Sequence, residues 1–218
     1  MAATVLIVDG GGRAAALAQK YLQSKHVHKL LVVPGNDLIR INSKKPVKIF
    51  PHLKTTDTEE IVEIAKKEKV DLIDVAQDDA VACGLSDSLT KAGIKVFGPS
   101  KSAGQIEWDK AWARKFMEKF KLPAPSFKIC HSESEGINFV KDLKDAKCFV
   151  KASGLAAGKG AIFAKNKKEA ILAIKQMKNF GASGKTYLIE ECIDGEEFSA
   201  FALVSNQKFQ IIGFAQDH

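Results

Sequence analysis

Apolar residues along the first hundred positions come in short unbroken runs that alternate with helically spaced ones. Residues 4–8 read as a buried strand, and Ala14, Leu17, Ala18 and Tyr21 follow at helical spacing. Residues 29–33 form a second apolar run, ending at Pro34-Gly35-Asn36, and residues 47–50 a third. Asp57 with Glu60 predicts a capping-box start for a helix carrying Ile61, Ile64 and Ala65 on one face. Residues 71–75 read as another strand, with Asp74 as a polar blemish inside it. Val81, Leu85 and Leu89 predict one helix that Gly93 ends, before a strand over 94–97 that stops at Gly98-Pro99. Strands alternating with helices predict an open α/β domain with a parallel sheet over residues 1–100.

A single long helix is predicted from Lys101 to Phe120, and Leu122-Pro123-Ala124-Pro125 must break it. Beyond that hinge, short strands over 126–129, 149–151, 161–164 and 186–190 bracket two helices. One of these is capped by Asn166 with Glu169 behind it. Residues 198–204 and 209–213 predict a hairpin after the turn at Asp194-Gly195. The second region, 101–218, thus contains a small α+β unit over 124–190.

Charge and composition narrow the function classes. Thirty-three basic against 26 acidic residues give a net charge of +7, which favours anionic partners. Acids are interspersed among the lysines, as in Lys66-Lys67-Glu68-Lys69, and only two Trp and two Tyr offer stacking surfaces, so nucleic acid is not expected. The four cysteines are scattered without a C-x-x-C pair, which argues against a disulfide framework or structural zinc and fits a reducing compartment. Apolar runs of strand length and no signal-peptide pattern predict a cytoplasmic protein without a membrane partner.

Three stretches carry chemistry. Asp9-Gly10-Gly11-Gly12-Arg13 lies between a predicted strand and helix, where glycines let backbone approach a phosphate at a helix N-terminus. The acid that would hold a dinucleotide ribose is missing after the second strand. Pro34-Gly35-Asn36 stands there instead, which suits a phosphorylated sugar better than NAD; a plain tight turn is the structural alternative. The second stretch, Lys151-Ala152-Ser153-Gly154-Leu155-Ala156-Ala157-Gly158-Lys159-Gly160, is not a Walker A loop, because Lys159 is followed by Gly. A lysine at a strand end followed by a small-residue loop describes a flap over a triphosphate, or else an incidental surface hairpin. The third is Glu190-Glu191-Cys192-Ile193-Asp194-Gly195-Glu196-Glu197, a strand ending in acid that can meet an adenine edge, with Glu197 in reach of a ribose. A plain acidic turn is its alternative.

Taken together, Lys151, the glycine flap and the Glu190–Glu197 stretch resemble an ATP-grasp nucleotide site. The chain more closely resembles the phosphoribosylamine–glycine ligase family. The matching pieces are Gly10-Gly11-Gly12-Arg13, Pro34-Gly35-Asn36, Val96-Phe97-Gly98-Pro99-Ser100, Gln105-Ile106-Glu107 with Lys110, the flap, and Gln216-Asp217-His218. This resemblance implies an N-terminal α/β domain, an α+β ATP-grasp subdomain and the start of the second ATP-grasp half. It implies that Lys110, Lys151, Glu190, Glu191 and Glu197 bind ATP with Ile193 near the adenine. Ser153, Gly154, Ala156, Ala157, Gly158, Lys159 and Gly160 would lie over the phosphates. Gly11, Gly12, Arg13, Pro34, Gly35, Asn36, Asp78 and Asp217 would face 5-phosphoribosylamine. The implied reaction is ATP-dependent ligation of glycine to that amine, by a monomer, without a protein nucleophile.

Three departures from the family pattern stand out. Ala76-Gln77-Asp78 replaces its Gly-Pro-Glu turn, and Ala14-Ala15 replaces an acid–histidine pair. The family also continues well beyond Gln-Asp-His and carries its magnesium (or manganese) ligands there. The expectation is therefore an incomplete N-terminal part, with no metal ligands within it and no turnover by itself. Another ATP-grasp carboxylate–amine ligase, or a non-catalytic nucleotide-binding fragment, are the alternatives.

Overall fold

A computed structural model describes residues 2–41, 43–144 and 147–216. The first apolar runs become β1 (Ala3–Asp9), β2 (Val27–Pro34), β3 (Val47–Ile49), β4 (Leu72–Val75) and β5 (Val96–Phe97). They pair in the order β3-β2-β1-β4-β5, and every pairing is parallel. A parallel sheet needs cover on both faces, which is why β1 is apolar at consecutive positions. Helix α1 (Gly12–Gln23) closes one face over Val5, Ile7, Leu30 and Val32. Helices α2 (Thr58–Lys67), α3 (Asp78–Cys83) and α4 (Leu85–Lys91) close the other over Leu6, Val8, Leu31 and Ile73. The strand order reverses between β1 and β4, so the loops leaving their C-terminal ends flank a crevice.

Three expected elements differ. The helix expected over 81–93 is two helices, because Gly84 adopts φ +90 and ends α3 before α4 begins. The long helix expected over 101–120 is α5 (Lys101–Trp108) and α6 (Lys110–Lys119), parted by an extended Asp109 whose carboxylate accepts from Trp112 N at 3.1 Å. An aspartate that caps its own helix competes with continuing the preceding one. At α2 the capping box does not form, because Asp57 turns its carboxylate to Lys54 N at 2.8 Å.

Beyond the Pro123–Pro125 segment come β6 (Phe127–Cys130), α7 (Glu133–Asp142), β7 (Cys148–Ala152), β8 (Ala161–Ala164), α8 (Lys167–Gln176) and β9 (Tyr187–Glu191). The four strands pair antiparallel in the order β6-β9-β7-β8. Side chains alternate between faces. Cys148, Val150, Ala152, Tyr187 and Ile189 pack under α7 and α8, which leaves Phe149, Lys151, Leu188 and Glu190 for the opposite face. The expected hairpin is present as β10 (Ser199–Ser205) with β11 (Lys208–Ala215), and its Phe201, Val204, Phe209 and Phe214 are exposed.

Candidate functional site

The crevice at the strand reversal is assembled largely from backbone. Asp9, buried at the end of β1, accepts from Gly11 N at 2.6 Å, and its carbonyl accepts from Gly35 N at 3.2 Å. Asn36 donates to the carbonyls of Gly10 and Gly11 at 3.0 and 3.3 Å while its Oδ1 accepts from Leu38 N. The two loops are thereby tied to each other. Two of their glycines are sterically required: a Cβ on Gly10 would lie 2.8 Å from Pro34 Cγ, and Gly35 has φ +72 with Ile49 Cγ2 2.8 Å from where its Cβ would be. Arg13 Nη1 crosses the crevice and donates to the carbonyl of Ala76. Asp78 stands exposed at the start of α3. The structure therefore brings Gly11, Gly12, Arg13, Pro34, Gly35, Asn36 and Asp78 to one edge of the sheet. Beside them a cleft of about 170 Å³ is lined by Gln77, Asp78, Pro99, Glu107 and Trp108. Asp217 lies outside the described residues.

The second cluster is made of charged side chains. Glu190 is 1% exposed and Lys151 Nζ lies 2.6 Å from its Oε2. Arg114, from α6, forks onto the same carboxylate, Nε to Oε1 at 2.7 Å and Nη2 to Oε2 at 3.2 Å. Burial alone would raise the Glu190 pKa, but the hydrogen bonds and charges of Arg114 and Lys151 outweigh it and hold the carboxyl below its ordinary range. The Lys151 ammonium also stands 5.2 Å from the centre of the Phe149 ring. Two cations on one anion leave the cluster an excess positive charge.

The flap begins where Lys151 ends. Ala152 N donates to Gly160 O at 2.8 Å, closing the root of the loop. Gly154 N donates to Ser183 O at 3.1 Å, and Ser183 Oγ donates to Leu155 O at 2.6 Å. Gly154 must be glycine for that approach, since a Cβ would meet Ser183 Cα at 2.9 Å. At the tip, Ala157 and Gly158 have φ +49 and +75, and Lys159 N returns to Ala156 O at 2.9 Å. This is a two-residue turn of the kind that joins hairpin strands. Ala157, Gly158 and Lys159 are exposed, so the loop is anchored at its base and open at its tip.

Other expected positions have different surroundings. Ser153 is a joint: its hydroxyl donates to Asp109 at 2.8 Å and accepts from Ala111 N at 2.9 Å, and its backbone pairs with Lys110 N and Thr186 O. Those bonds fix the start of α6, and with it Lys110, against the flap root. Glu191 points away from Lys151 and accepts from Ser126 Oγ at 2.7 Å. Ile193 and Glu197 are exposed in the segment between β9 and β10. Arg114, Asp109 and Ser183 were not among the expected site residues. The one available sign was that Arg114 follows Lys110 by four positions, on the same helix face. Among the described residues no group of three or more His, Cys, Asp or Glu side chains could hold a metal ion.

Comparison with known proteins bears on the family and the fold. The family model for the phosphoribosylglycinamide synthetase N domain matches residues 3–107, and that for its ATP-grasp (A) domain matches residues 108–218. Phosphoribosylamine–glycine ligases of Streptococcus pyogenes serotype M6 and Streptococcus pneumoniae serotype 4 are 36% and 37% identical over 217 residues, 98% of this chain and 50% of each relative. The chain thus spans about half the length of the curated relatives it matches. The crystal structure of phosphoribosylamine–glycine ligase from Thermotoga maritima superposes with a TM-score of 0.74 at 24% identity, covering 97% of this chain and 49% of that one. N5-carboxyaminoimidazole synthetase from Staphylococcus aureus, complexed with ADP, gives 0.71 at 18% identity, covering 99% and 55%. At those identities the structural likeness concerns the fold, and it is the two family models in series that decide the assignment: this chain belongs to the phosphoribosylglycinamide synthetase family.

Proposed function

We propose that this chain supplies the nucleotide and phosphoribosylamine sites of a ligase that joins glycine to 5-phosphoribosylamine. The observation that carries the reading is the Lys151–Glu190–Arg114 cluster at the root of the glycine flap, an excess positive charge beneath exposed backbone. Lys151 and Lys159 would neutralise phosphate oxygens of ATP, with flap N–H groups as further donors. Lys110 would approach from the start of α6, Ile193 would cover the adenine, and Glu197 would meet the ribose. Gly11, Gly12, Arg13 and Pro34-Gly35-Asn36 would receive the sugar phosphate, with Asp78 opposite them. The unit boundaries at about residue 100 and over 124–190 belong to the same proposal.

In the reaction a glycine carboxylate oxygen bonds to the γ-phosphorus as the bond to the β,γ-bridging oxygen breaks, releasing ADP. The amine nitrogen of phosphoribosylamine then bonds to the acyl carbon of glycyl phosphate, loses a proton, and phosphate leaves with the C–O electron pair. Lysines and backbone amides contribute by orienting the reactants and countering charge. A magnesium ion would help counter the phosphate charge, and among the described residues no group of three or more His, Cys, Asp or Glu side chains could hold it. Four free cysteines accord with a reducing, cytoplasmic setting, and small metabolites handled by a monomer suffice for this chemistry.

The test is hydrogen exchange over residues 152–160 with and without a non-hydrolysable ATP analogue. Closure of the flap predicts slower exchange there when the analogue binds. Unchanged exchange at saturating analogue contradicts the lid. Glycine- and phosphoribosylamine-dependent ADP release by the whole protein that carries this sequence tests the ligase reading itself.

A further inference from the structure

We infer that Arg114 is a positioning residue that lets Lys151 change partners: it keeps the buried Glu190 carboxylate paired when an incoming phosphate draws the Lys151 ammonium away. The inference rests on the nucleotide reading above.

The geometry assigns different tasks to the two cations. Lys151 contacts one carboxylate oxygen, Oε2, whereas Arg114 contacts both. If Lys151 were the sole partner, a phosphate could recruit it only by stranding a charge that water does not reach, and an uncompensated buried ion is strongly unfavourable. With Arg114 in place, both Glu190 oxygens stay hydrogen-bonded after Lys151 leaves.

Arg114 is also the cation that is held. Its Nη1 lies 3.2 Å from Met117 Sδ, and α6 is locked at its start to Ser153 through Asp109 and the Ala111 amide. A planar guanidinium suits a fixed two-point contact, while a lysine ammonium on a flexible stem suits exchange between two anions. Lys151 sits at the flap root with 23% of its side chain exposed, one residue from the loop that would deliver phosphate contacts. The alternative is a purely structural triad that ties α6 to β7 and β9, in which Arg114 would have no bearing on Lys151's availability.

A double-mutant cycle separates the two. ATP is titrated onto wild type, Arg114→Met, Arg114→Lys, Glu190→Gln and the Arg114→Met/Glu190→Gln double variant, with the thermal midpoint recorded for each. Partner exchange predicts that Arg114→Met raises the ATP Kd about tenfold or more when Glu190 is present, because Lys151 is then retained by the carboxylate. In the Glu190→Gln background, with no carboxylate to strand, the same change should alter Kd less than about twofold. Arg114→Lys should fall between wild type and Arg114→Met, since it keeps the charge and loses the fork. If Arg114→Met does not fold, Arg114→Lys in the two backgrounds carries the same cycle. Equal fold-losses with and without Glu190, or a wild-type Kd for Arg114→Met, would overturn the inference while leaving the nucleotide site intact. No ATP binding by wild type would overturn the nucleotide reading and this inference with it.

Discussion

The two halves of the described chain build their candidate sites from different materials. At the edge of the parallel sheet, the site is backbone and short polar side chains: Asp9, Asn36 and three glycines locked by hydrogen bonds within one small region. On the antiparallel sheet it is a buried ion cluster whose members come from α6, β7 and β9. The first arrangement suits a ligand whose shape must be matched, since its groups are tied to one another by hydrogen bonds. The second suits a ligand that must displace something, since Lys151 already has a partner. On the proposed reading, the loops tied to one another would hold a sugar phosphate and the ion pair would admit a triphosphate.

Substitutions can break that contrast. Glu190→Ala should have the largest effect on stability, about 3 kcal/mol, because it leaves two partly buried cations facing each other. For a chain of this size that is a fall of roughly 6–12 °C in thermal midpoint, readable by calorimetry. A fall of under about 2 °C would mean that the cluster is not a structural unit. Asn36→Ala should cost less, about 1–2 kcal/mol, by removing the donors to Gly10 and Gly11 and the acceptor for Leu38 N. It should leave ATP affinity unchanged, and a loss of ATP binding would show that the two sites are not separate.

Smaller effects sharpen the comparison through pH. Hydrogen bonds from Lys29 and Lys48 hold the Glu68 carboxyl at about 2, against an ordinary 4.5. A carboxyl with a depressed folded pKa contributes stability that is present above 4.5 and lost as pH falls towards 2. Glu68→Gln should therefore flatten the decline in stability between those limits, followed by denaturant melts at stepped pH. Asp74 has the opposite sign. Burial raises its pKa, against the hydrogen bond from Tyr21 and with help from Asp9. Its ionised form is disfavoured in the folded state, so folding loses stability as pH rises through its titration. Asp74→Asn keeps an acceptor for the Tyr21 hydroxyl and should raise the midpoint by a few degrees at pH 8, with the gain shrinking towards pH 4. A constant gain across that range would show that charge is not the cause.

Legibility from sequence follows the same division. The apolar runs of β1, β2 and β4 announce strands buried on both faces, and the glycine loops are legible because their requirement is local. Capping chemistry is legible only where no other partner competes. Asn166 and Glu169 form their box, with Glu169 N donating to Asn166 Oδ1 at 3.0 Å and Lys165 N to Glu169 at 2.9 Å. Asp57 and Glu60 have the same spacing, yet the amide three residues before, Lys54 N, takes the aspartate. Asp109 breaks a continuous helical pattern because Ser153, 44 residues away, donates to it. Arg114 meets Glu190 across 76 residues, and no charge pattern along the chain selects that acid over its neighbours. Side-chain constellations between elements are where reading along one chain stops.

The central claim is that the Lys151 ammonium at the flap root receives the triphosphate of ATP. Calorimetric titration of ATP onto wild type and Lys151→Met, with thermal midpoints as a control for folding, tests it most directly. Loss of a charge-assisted donor predicts a Kd raised about tenfold or more in the variant, with a folded protein at both ends of the comparison. Equal dissociation constants for the two proteins, or no binding by either, would contradict the account.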